Sequence, residues 1–307
     1  MSRIHEALQR AYLERGKLSV SEDIHVAEPR MAPVVQEQPE AKAEVVLENM
    51  TEYSWKPSLP SFPTLADRGA AVEQFRSLRS HIYQARYEAP LKTILISSGM
   101  PSEGKSFVAA NLAMSLARNS IHNILLIDGD LRRPTLHDLL GAPNSPGLSD
   151  YLEGTAELAE IMQRDSSSET AKNEGVGRIS NLTFIPSGKC SDHSAELVAN
   201  RRIEELVTTI SPNFDWILID APPVLAVSDA VDLARAADAV LLIARVATTP
   251  YEVAQRTKAA FSNSRILGFV LNDVTHAPRS GSYSYNYNYY GEPEAGSHAM
   301  RSKDNGR

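Results

Sequence analysis

One short segment restricts the fold of this chain more than any other. Residues 99–106 read Gly-Met-Pro-Ser-Glu-Gly-Lys-Ser, which is the G-x4-G-K-[ST] pattern of a phosphate-binding loop. An apolar strand pattern precedes it over residues 93–97, and a helical pattern follows it over residues 105–118. In this order, the first backbone N–H groups of the helix point at bound phosphates. The sequence therefore predicts a nucleotide-binding site between a strand and a helix.

Each part of this loop has an expected task. Gly99 and Gly104 let the backbone wrap closely around phosphates, and the Lys105 ammonium supplies positive charge near the β- and γ-phosphates. The Ser106 hydroxyl is the expected Mg²⁺ ligand of the loop. The other positions expected to bind nucleotide are Ser102, Glu103 and Phe107.

Three acidic residues follow apolar strand patterns elsewhere in the chain. Asp128 and Asp130 come directly after one such run, and Asp220 ends another, followed by Ala-Pro-Pro. Ligands of open α/β sheets bind beyond the carboxyl ends of the strands, so these carboxylates are expected near the loop. Their mutual repulsion favours a cation among them, which predicts Mg²⁺ held by Ser106, Asp128 and Asp220, the last in the Walker B role. For each Asp alone, a turn or helix cap is the common alternative.

Apolar runs alternate with helical patterns throughout the middle of the chain. The expected strands are residues 93–97, 123–128, 182–186, 216–220, 239–244 and 266–271. The expected helices are residues 72–87, 105–118, 195–208, 228–236 and 251–262, and the polar residues 164–177 are expected to form an exposed loop. Nearly continuous apolar strands separated by helices predict an α/β fold with a mostly parallel sheet covered by helices on both faces.

The segments outside this domain have different patterns. Residues 1–17 carry one apolar stripe and predict an amphipathic helix. Residues 18–69 are interrupted by prolines and predict a flexible linker. The expected domain covers residues 70–275, and residues 276–307 predict a disordered tail.

Composition narrows the classes of protein that remain. The single cysteine, Cys190, excludes an internal disulfide and metal sites built on several thiolates. No run of about 18 apolar residues occurs and no signal peptide is visible, so a cytoplasmic location is expected, with membrane contact only peripheral or through a partner. The net charge of −7 argues against nucleic acid as the main partner.

The predicted tail contains an unusual run of aromatic residues. Five of the eleven tyrosines lie within eight residues, and Ser or Asn alternates with most of them. An edge strand and a stacking surface for nucleic acid are alternatives, although Arg and Lys are absent from the run. An accessible run of this kind is suited to accept phosphate. The expected phosphoacceptors are Tyr283, Tyr285, Tyr287, Tyr289 and Tyr290.

Before the first predicted strand, Glu73, Arg76 and Arg79 recur at steps of three. Such spacing places the three charges in one sector of a helix, while Val72 and Phe75 belong to its apolar stripe. From spacing alone, a solvated helix face with one ion pair is the favoured interpretation.

Taken together, these motifs resemble the bacterial tyrosine kinases of capsule and exopolysaccharide synthesis, which carry Walker A, A′ and B motifs. The resemblance covers residues 70–290 and includes the loop, the Asp128-Gly-Asp130 and Asp220-Ala-Pro-Pro segments, and the tyrosine run. No H-R-D or D-F-G triplet of eukaryotic kinases is present in the sequence. The resemblance implies a P-loop NTPase fold, ATP and Mg²⁺ as cofactors, and autophosphorylation on tyrosine.

The same resemblance implies roles for particular residues. Lys105, Asp128 and Asp130 form the implied catalytic set, with Asp128 or Asp130 orienting the tyrosine hydroxyl. The charged helix residues would pair between subunits of a homo-oligomeric ring, in which each tail reaches the next subunit's site. The implied activating partner is a membrane polysaccharide co-polymerase on a separate chain, and a cognate tyrosine phosphatase is a further implied partner.

Two other functions remain as alternatives. One is a partitioning or cell-division-positioning ATPase of the same superfamily, which usually has an additional lysine early in the loop, whereas residues 100–103 are Met-Pro-Ser-Glu. The other is a nucleotide-bound adaptor without catalysis, although the lysine and carboxylates of the site are all present.

Overall fold

The computed structural model describes residues 50–57, 59–66, 68–118, 121–166, 181–190, 193–199 and 201–273. The predicted N-terminal helix, most of the predicted linker and the tyrosine tail lie outside these residues. The bounds of the N-terminal helix and of the tail therefore stay predictions.

The described residues form eight strands and nine α-helices. The strands are β1 Thr51–Tyr53, β2 Thr93–Ser98, β3 Ile124–Asp128, β4 Gln163–Asp165, β5 Leu182–Ile185, β6 Trp216–Asp220, β7 Ala239–Arg245 and β8 Ile266–Asn272. The helices are α1 Ala70–Glu88, α2 Lys105–Ala117, α3 Leu136–Leu140, α4 Leu148–Glu153, α5 Leu158–Ile161, α6 Ser194–Ala199, α7 Arg202–Ile210, α8 Asp229–Leu233 and α9 Tyr251–Ala260.

All eight strands belong to one sheet, in the order β1-β4-β5-β3-β6-β2-β7-β8. Every neighbouring pair is parallel except β4 and β5. The register of the central strands places Asp128 of β3 beside Asp220 of β6. The carboxyl ends of these strands therefore meet at one edge of the sheet, together with the end of β2.

Alternate residues of the central strands enter two separate apolar cores. Ile94 and Ile96 of β2 belong to the core that includes α1 and α2, whereas Leu95 belongs to the core that includes α4, α5, α7 and α8. Successive side chains of a strand point to opposite faces, so both faces of the sheet are covered. The expected α/β fold with helices on both faces is confirmed.

The six expected strands are confirmed, with ends that differ by one residue or less. Two further strands, β1 and β4, were not predicted because each has only three residues, too few to show a period. Arg164 and Asp165, expected in an exposed loop, pair with β1 and lie in the sheet. The prediction of a loop is therefore wrong at these two residues.

The prediction of a flexible linker is wrong for residues 50–57 and 59–66. Trp55 is 4% exposed and Phe62 is 1% exposed, and both belong to the core that contains α1 and α2. The backbone N–H of Trp55 donates to Asp165 Oδ1 over 3.2 Å. These side chains are buried by residues far away in the chain, so local composition could not reveal their packing.

Other differences concern helices. The single helix expected over residues 195–208 is divided into α6 and α7, because Arg201 takes a non-helical conformation with φ −47° and ψ 3°. The short helices α3, α4 and α5 were not predicted, since four to six residues show little helical periodicity. None of the described helices is both long enough and apolar enough to cross a membrane.

Candidate nucleotide-binding and phosphotransfer site

The phosphate-loop pattern lies between β2 and α2, at the carboxyl edge of the sheet. Gly104 precedes α2 with φ +90°, a conformation that glycine adopts readily and other residues rarely do. A Cβ atom at Gly104 would come 2.0 Å from Nδ2 of Asn272, which itself donates to the Glu103 carbonyl over 3.0 Å. Both the backbone conformation and the nearby amide therefore require glycine at this position.

The buried Glu103 side chain stabilises the loop on the side away from the cleft. Glu103 is 1% exposed, and its Oε2 accepts the Met100 backbone N–H over 2.7 Å. Its Oε1 accepts the hydroxyl of Thr249. Gly99 also packs closely, since a Cβ there would lie 2.3 Å from the Thr257 hydroxyl. Glu103 and Gly99 thus shape the loop, and neither lines the open cleft in front of it.

Lys105 lies among the acidic residues. Its Nζ is 2.9 Å from Asp130 Oδ2, 3.9 Å from Asp220 Oδ2 and 3.3 Å from the Ser106 hydroxyl. Burial disfavours the charge on this ammonium, but Asp220 and Asp130 outweigh that cost and raise the pKa of Lys105. Lys105 is therefore charged and positioned by two carboxylates at the start of α2.

Asp128 and Asp130 have different surroundings although they are two residues apart. Asp128 Oδ1 accepts the Asp130 backbone N–H over 3.2 Å, and its Oδ2 accepts those of Thr135 and Leu136 over 3.3 and 3.2 Å. Burial, with the nearby charge of Asp220, raises the pKa of Asp128 to about 8. Asp128 is thus enclosed and braces the turn after β3. Asp130 Oδ2, in contrast, contacts Lys105, and Asp130 lines the cleft.

Asp220, at the end of β6, is fully buried and poorly satisfied. Neither of its carboxylate oxygens reaches a partner at full hydrogen-bond geometry, although the Ser106 hydroxyl faces it. Burial raises the pKa of Asp220 to about 6, and Lys105 and the Ser106 hydroxyl oppose this shift. Buried carboxylate oxygens without donors are suited to face a cation or its water ligands.

A cation here would need ligands beyond the protein. Within the part of the chain that the structure describes, no group of three or more His, Cys, Asp or Glu side chains is arranged to hold a metal ion. Mg²⁺ usually keeps several waters and is shared between one or two carboxylates and substrate phosphates. Ser106 and Asp220 fit this kind of site, in which the nucleotide completes the coordination.

The loop opens on a cleft of about 720 Å³. Of the residues expected to bind nucleotide or to act in catalysis, six line it: Ser102, Gly104, Lys105, Ser106, Phe107 and Asp130. The other lining residues are Pro101, Arg132, Arg133, Thr135, Cys190, Pro222, Pro223, Ala226 and Val227. The structure therefore brings the loop and Asp130 together around one opening, with Asp128 and Asp220 buried beneath it.

Asp229 is a residue of this site that sequence reasoning missed. It is 2% exposed, and its Oδ2 accepts the Arg132 Nε–H over 2.9 Å. This pair fixes the Arg132 side chain at the rim of the cleft. An acidic residue at the start of a helix is common, so the sequence offered no signal for this role.

The charged motif of α1 makes contacts within the chain. Arg76 Nη1 lies 2.5 Å from Glu73 Oε1, and both side chains remain about half exposed. Arg79 Nη1 donates to the Ser115 carbonyl of α2 over 2.6 Å. Arg76 and Arg79 also line a small cleft of about 270 Å³ between the two helices. The expected tyrosine acceptors lie outside the described residues.

The burial of Asp220 leads to a testable expectation. In the ligand-free protein at pH 7, Asp220→Asn should raise the free energy of unfolding by about 1–3 kcal/mol, because ionising a buried carboxyl whose pKa lies near 6 costs stability. The folded protein binds the carboxyl proton of Asp220 more tightly than the unfolded chain does. The extra stability of the Asn variant should therefore appear as the pH rises from about 4 to 6 and should persist above pH 6. Urea unfolding at pH 4 and pH 7 measures it.

A matched control is Asp138→Asn, because the Asp138 side chain is 79% exposed. That variant should change stability little at either pH. A destabilised Asp220→Asn protein at pH 7 would contradict the assignment of a buried, poorly satisfied carboxylate.

Comparison with known proteins agrees with this geometry. The family described as an AAA domain matches residues 91–254. The chain is 34% identical over 223 residues to the tyrosine-protein kinase Wzc of Salmonella typhimurium, a match that covers 71% of this chain and 29% of Wzc. It is 33% identical over 221 residues to the tyrosine-protein kinase YwqD of Bacillus subtilis, covering 71% of this chain and 86% of YwqD. The chain thus spans under a third of Wzc and most of YwqD.

Solved structures give the same result. The kinase domain of the Escherichia coli tyrosine kinase ETK superposes with a TM-score of 0.63 at 31% sequence identity. The superposition covers 74% of this chain and 85% of the ETK domain.

Proposed function

Because this chain belongs to the bacterial tyrosine-protein kinases, as the resemblance in its motifs implied, we propose that it transfers the γ-phosphoryl group of ATP to tyrosine side chains. The acceptors are the five tyrosines of residues 283–290, and the tail of one copy enters the cleft of another. The observation that carries this proposal is that Lys105 lines the cleft with Asp130, contacts its carboxylate, and lies within 4 Å of the buried Asp220.

Asp130 is the carboxylate better placed to meet the tyrosine hydroxyl. It lines the cleft, and its Oδ2 contacts the Lys105 ammonium, which bound phosphates would attract, while its Oδ1 accepts the Arg133 N–H over 3.0 Å. The oxygens of Asp128 instead accept three backbone N–H groups, so Asp128 positions the turn that carries Asp130. The sequence alone left the choice between these two residues open.

The proposed reaction is an in-line displacement. The tyrosine oxygen forms a bond to the γ-phosphorus while the bond from that phosphorus to the β–γ bridging oxygen breaks, and ADP leaves. The hydroxyl proton passes to Asp130. Phosphoryl transfer has a loose transition state, so a carboxylate suffices even though the pKa of tyrosine is near 10. Lys105 and the N–H groups opening α2 stabilise the phosphate charge.

Ser106 and Asp220 are the residues proposed to hold Mg²⁺, directly or through water. When bound, Mg²⁺ would neutralise negative charge on the phosphate oxygens of the nucleotide. The oxygens of Asp220, which accept no hydrogen bond of full geometry in the ligand-free protein, support this assignment. The oxygens of Asp128, expected to be a third ligand, are already occupied by backbone donors.

The proposal includes a ring of several copies. Glu73 and Arg76 are exposed on α1, and a neighbouring subunit could exchange partners with this ion pair. Arg79 is held by the Ser115 carbonyl, so it is proposed to support the surface by fixing α1 against α2. Phosphorylation would add about −1.5 to −2 charges for each tyrosine, which should loosen an assembly of negatively charged copies.

The proposed setting is the control of capsule or exopolysaccharide polymerisation and export. A separate membrane polysaccharide co-polymerase is the proposed activator, which would bring the protein to the cytoplasmic face of the membrane. A cognate tyrosine phosphatase is the proposed partner that resets the tail. These parts rest on the family to which the chain belongs.

Transfer between copies can be tested with two full-length variants. A donor with all five tail tyrosines changed to phenylalanine keeps its cleft, and an acceptor carrying Lys105→Ala keeps its tyrosines. Mixed with Mg-ATP, the pair should give phosphotyrosine in the acceptor's tail, measured by mass spectrometry. Each variant alone should give little.

Different results would separate the alternatives. Phosphotyrosine in the unmixed acceptor at the level of the mixture would contradict transfer by the donor's cleft. ATP hydrolysis by the donor without any acceptor phosphorylation would favour the partitioning-type ATPase. Neither hydrolysis nor transfer would favour the adaptor.

A further inference from the structure

The two edges of the sheet are unlike. β1, at one edge, has three residues, and its exposed members Thr51 and Glu52 are polar. β8, at the other edge, has seven residues, Ile266–Asn272, without a charged side chain. Proteins usually protect long edge strands with charges, prolines or a covering segment, because an open edge can pair with other chains. Among the described residues, no strand covers the outer side of β8.

The outer side of β8 presents backbone groups ready for pairing. The Asn272 carbonyl accepts the Val246 N–H over 2.9 Å, so Asn272 directs its backbone groups towards β7. Alternate residues of a parallel strand face the same neighbour, and Phe269 and Leu271 therefore direct their N–H and C=O groups outward.

The same two residues expose apolar side chains. Phe269 is 37% exposed and Leu271 is 62% exposed, and both belong to neither of the two apolar cores. At i and i+2 of a strand, they lie on one face of the sheet. We call this pair the β8 shelf. An added strand could form hydrogen bonds with the outward backbone groups of the β8 shelf and pack apolar side chains on its exposed side chains.

The chain itself supplies a segment that fits this edge. Tyr283, Tyr285, Tyr287 and Tyr289 alternate with Ser or Asn, and alternation is the period of a strand with one apolar face. Residues 283–289 match β8 in length. The eight residues between Asp273 and Ser282 include Pro278 and Gly281, which suit a turn, so the segment can return antiparallel to β8.

We propose that residues 283–289 pair with β8 of the same chain as a ninth, antiparallel strand, with their tyrosine rings over the β8 shelf. Aromatic and apolar side chains facing each other across strands stabilise such a pair. The short connection keeps the local concentration of the segment in the millimolar range, which favours its own chain over another copy.

The docked strand would also control access to the tyrosines. This consequence rests on the proposed function: while the tail lies on β8, its tyrosines are withheld from a neighbour's cleft. Phosphate charge is unfavourable above the apolar shelf, so a tail phosphorylated after release would stay released.

Amide hydrogen exchange of the full chain without nucleotide tests the docking independently of catalysis. The Phe269 and Leu271 N–H groups should exchange at least about tenfold more slowly in the natural chain than in a variant with Tyr283, Tyr285, Tyr287 and Tyr289 changed to serine. A tenfold slower exchange corresponds to a tenfold smaller equilibrium constant for the local opening that exposes these N–H groups. The N–H groups of Val270 and Asn272, which face β7, should be protected in both.

Two matched variants sharpen the test. Changing the same four tyrosines to phenylalanine should keep the protection, because the aromatic surface remains. Changing Ser284, Asn286 and Asn288 to alanine should also keep it, because these side chains lie on the opposite face of the proposed strand. Equal exchange of Phe269 and Leu271 in the natural and serine chains would overturn the proposal. Protection that grows with protein concentration would also overturn it, by showing that another copy covers β8.

Discussion

Replacing Lys105 by alanine is expected to lower the rate of tyrosine phosphorylation by about 10²–10³-fold, the usual loss when one donor to a developing negative charge is removed. Lys105 is the only cation that the structure places within 4 Å of both Asp130 and Asp220 among the described residues. Its loss also leaves the two carboxylates repelling both each other and the incoming phosphates. The rate is measured as phosphotyrosine formed per minute at saturating Mg-ATP.

Lys92→Ala is the matched control for this variant. The Lys92 ammonium donates to the Ser211 carbonyl over 2.6 Å, and Lys92 does not line the cleft. This variant should phosphorylate at nearly the natural rate. Circular dichroism of both variants checks folding, and equal rates for Lys105→Ala and the natural chain would refute phosphotransfer at this cleft.

Phe62→Ala should destabilise the protein by about 3–5 kcal/mol, the usual cost of removing a large buried aromatic side chain. Phe62 is 1% exposed and belongs to the core that holds α2. Neighbouring polar contacts fix the same segment, because the Thr64 hydroxyl donates to Asn111 Oδ1 over 2.9 Å and Asn111 Nδ2 donates to the Ser61 carbonyl over 2.9 Å. Urea unfolding measures the loss.

The control is Tyr87→Ala, since Tyr87 is 93% exposed. Replacing this exposed aromatic side chain should change the free energy of unfolding only slightly. A flexible linker at residues 59–66 would make Phe62→Ala equally harmless, so similar unfolding curves for both variants would contradict the packing of this segment on the domain.

Local patterns in the chain predicted the parts of the fold that depend on local interactions. The glycines and lysine of residues 99–106 and the apolar run of each central strand are contiguous in sequence. Strand and helix periods arise from neighbouring residues, and they were therefore readable without the structure. The same reasoning located the carboxyl ends of β3 and β6, and hence the edge on which Asp130 and Asp220 lie.

Contacts between distant residues decided the rest. Trp55 is fixed by Asp165, 110 residues away, and Arg132 by Asp229, 97 residues away, and neither partner is marked by any local pattern. In the sequence nothing distinguishes Asp128 from Asp130, because both are aspartates in the same short turn. Their different surroundings follow from the groups that each carboxylate contacts and from which of them lines the cleft, and these exist only once the chain has folded. The sequence by itself determined that a phosphate loop meets the acidic ends of strands. Only the tertiary structure decided which carboxylate faces the cleft, because the position of each side chain depends on everything that packs around it.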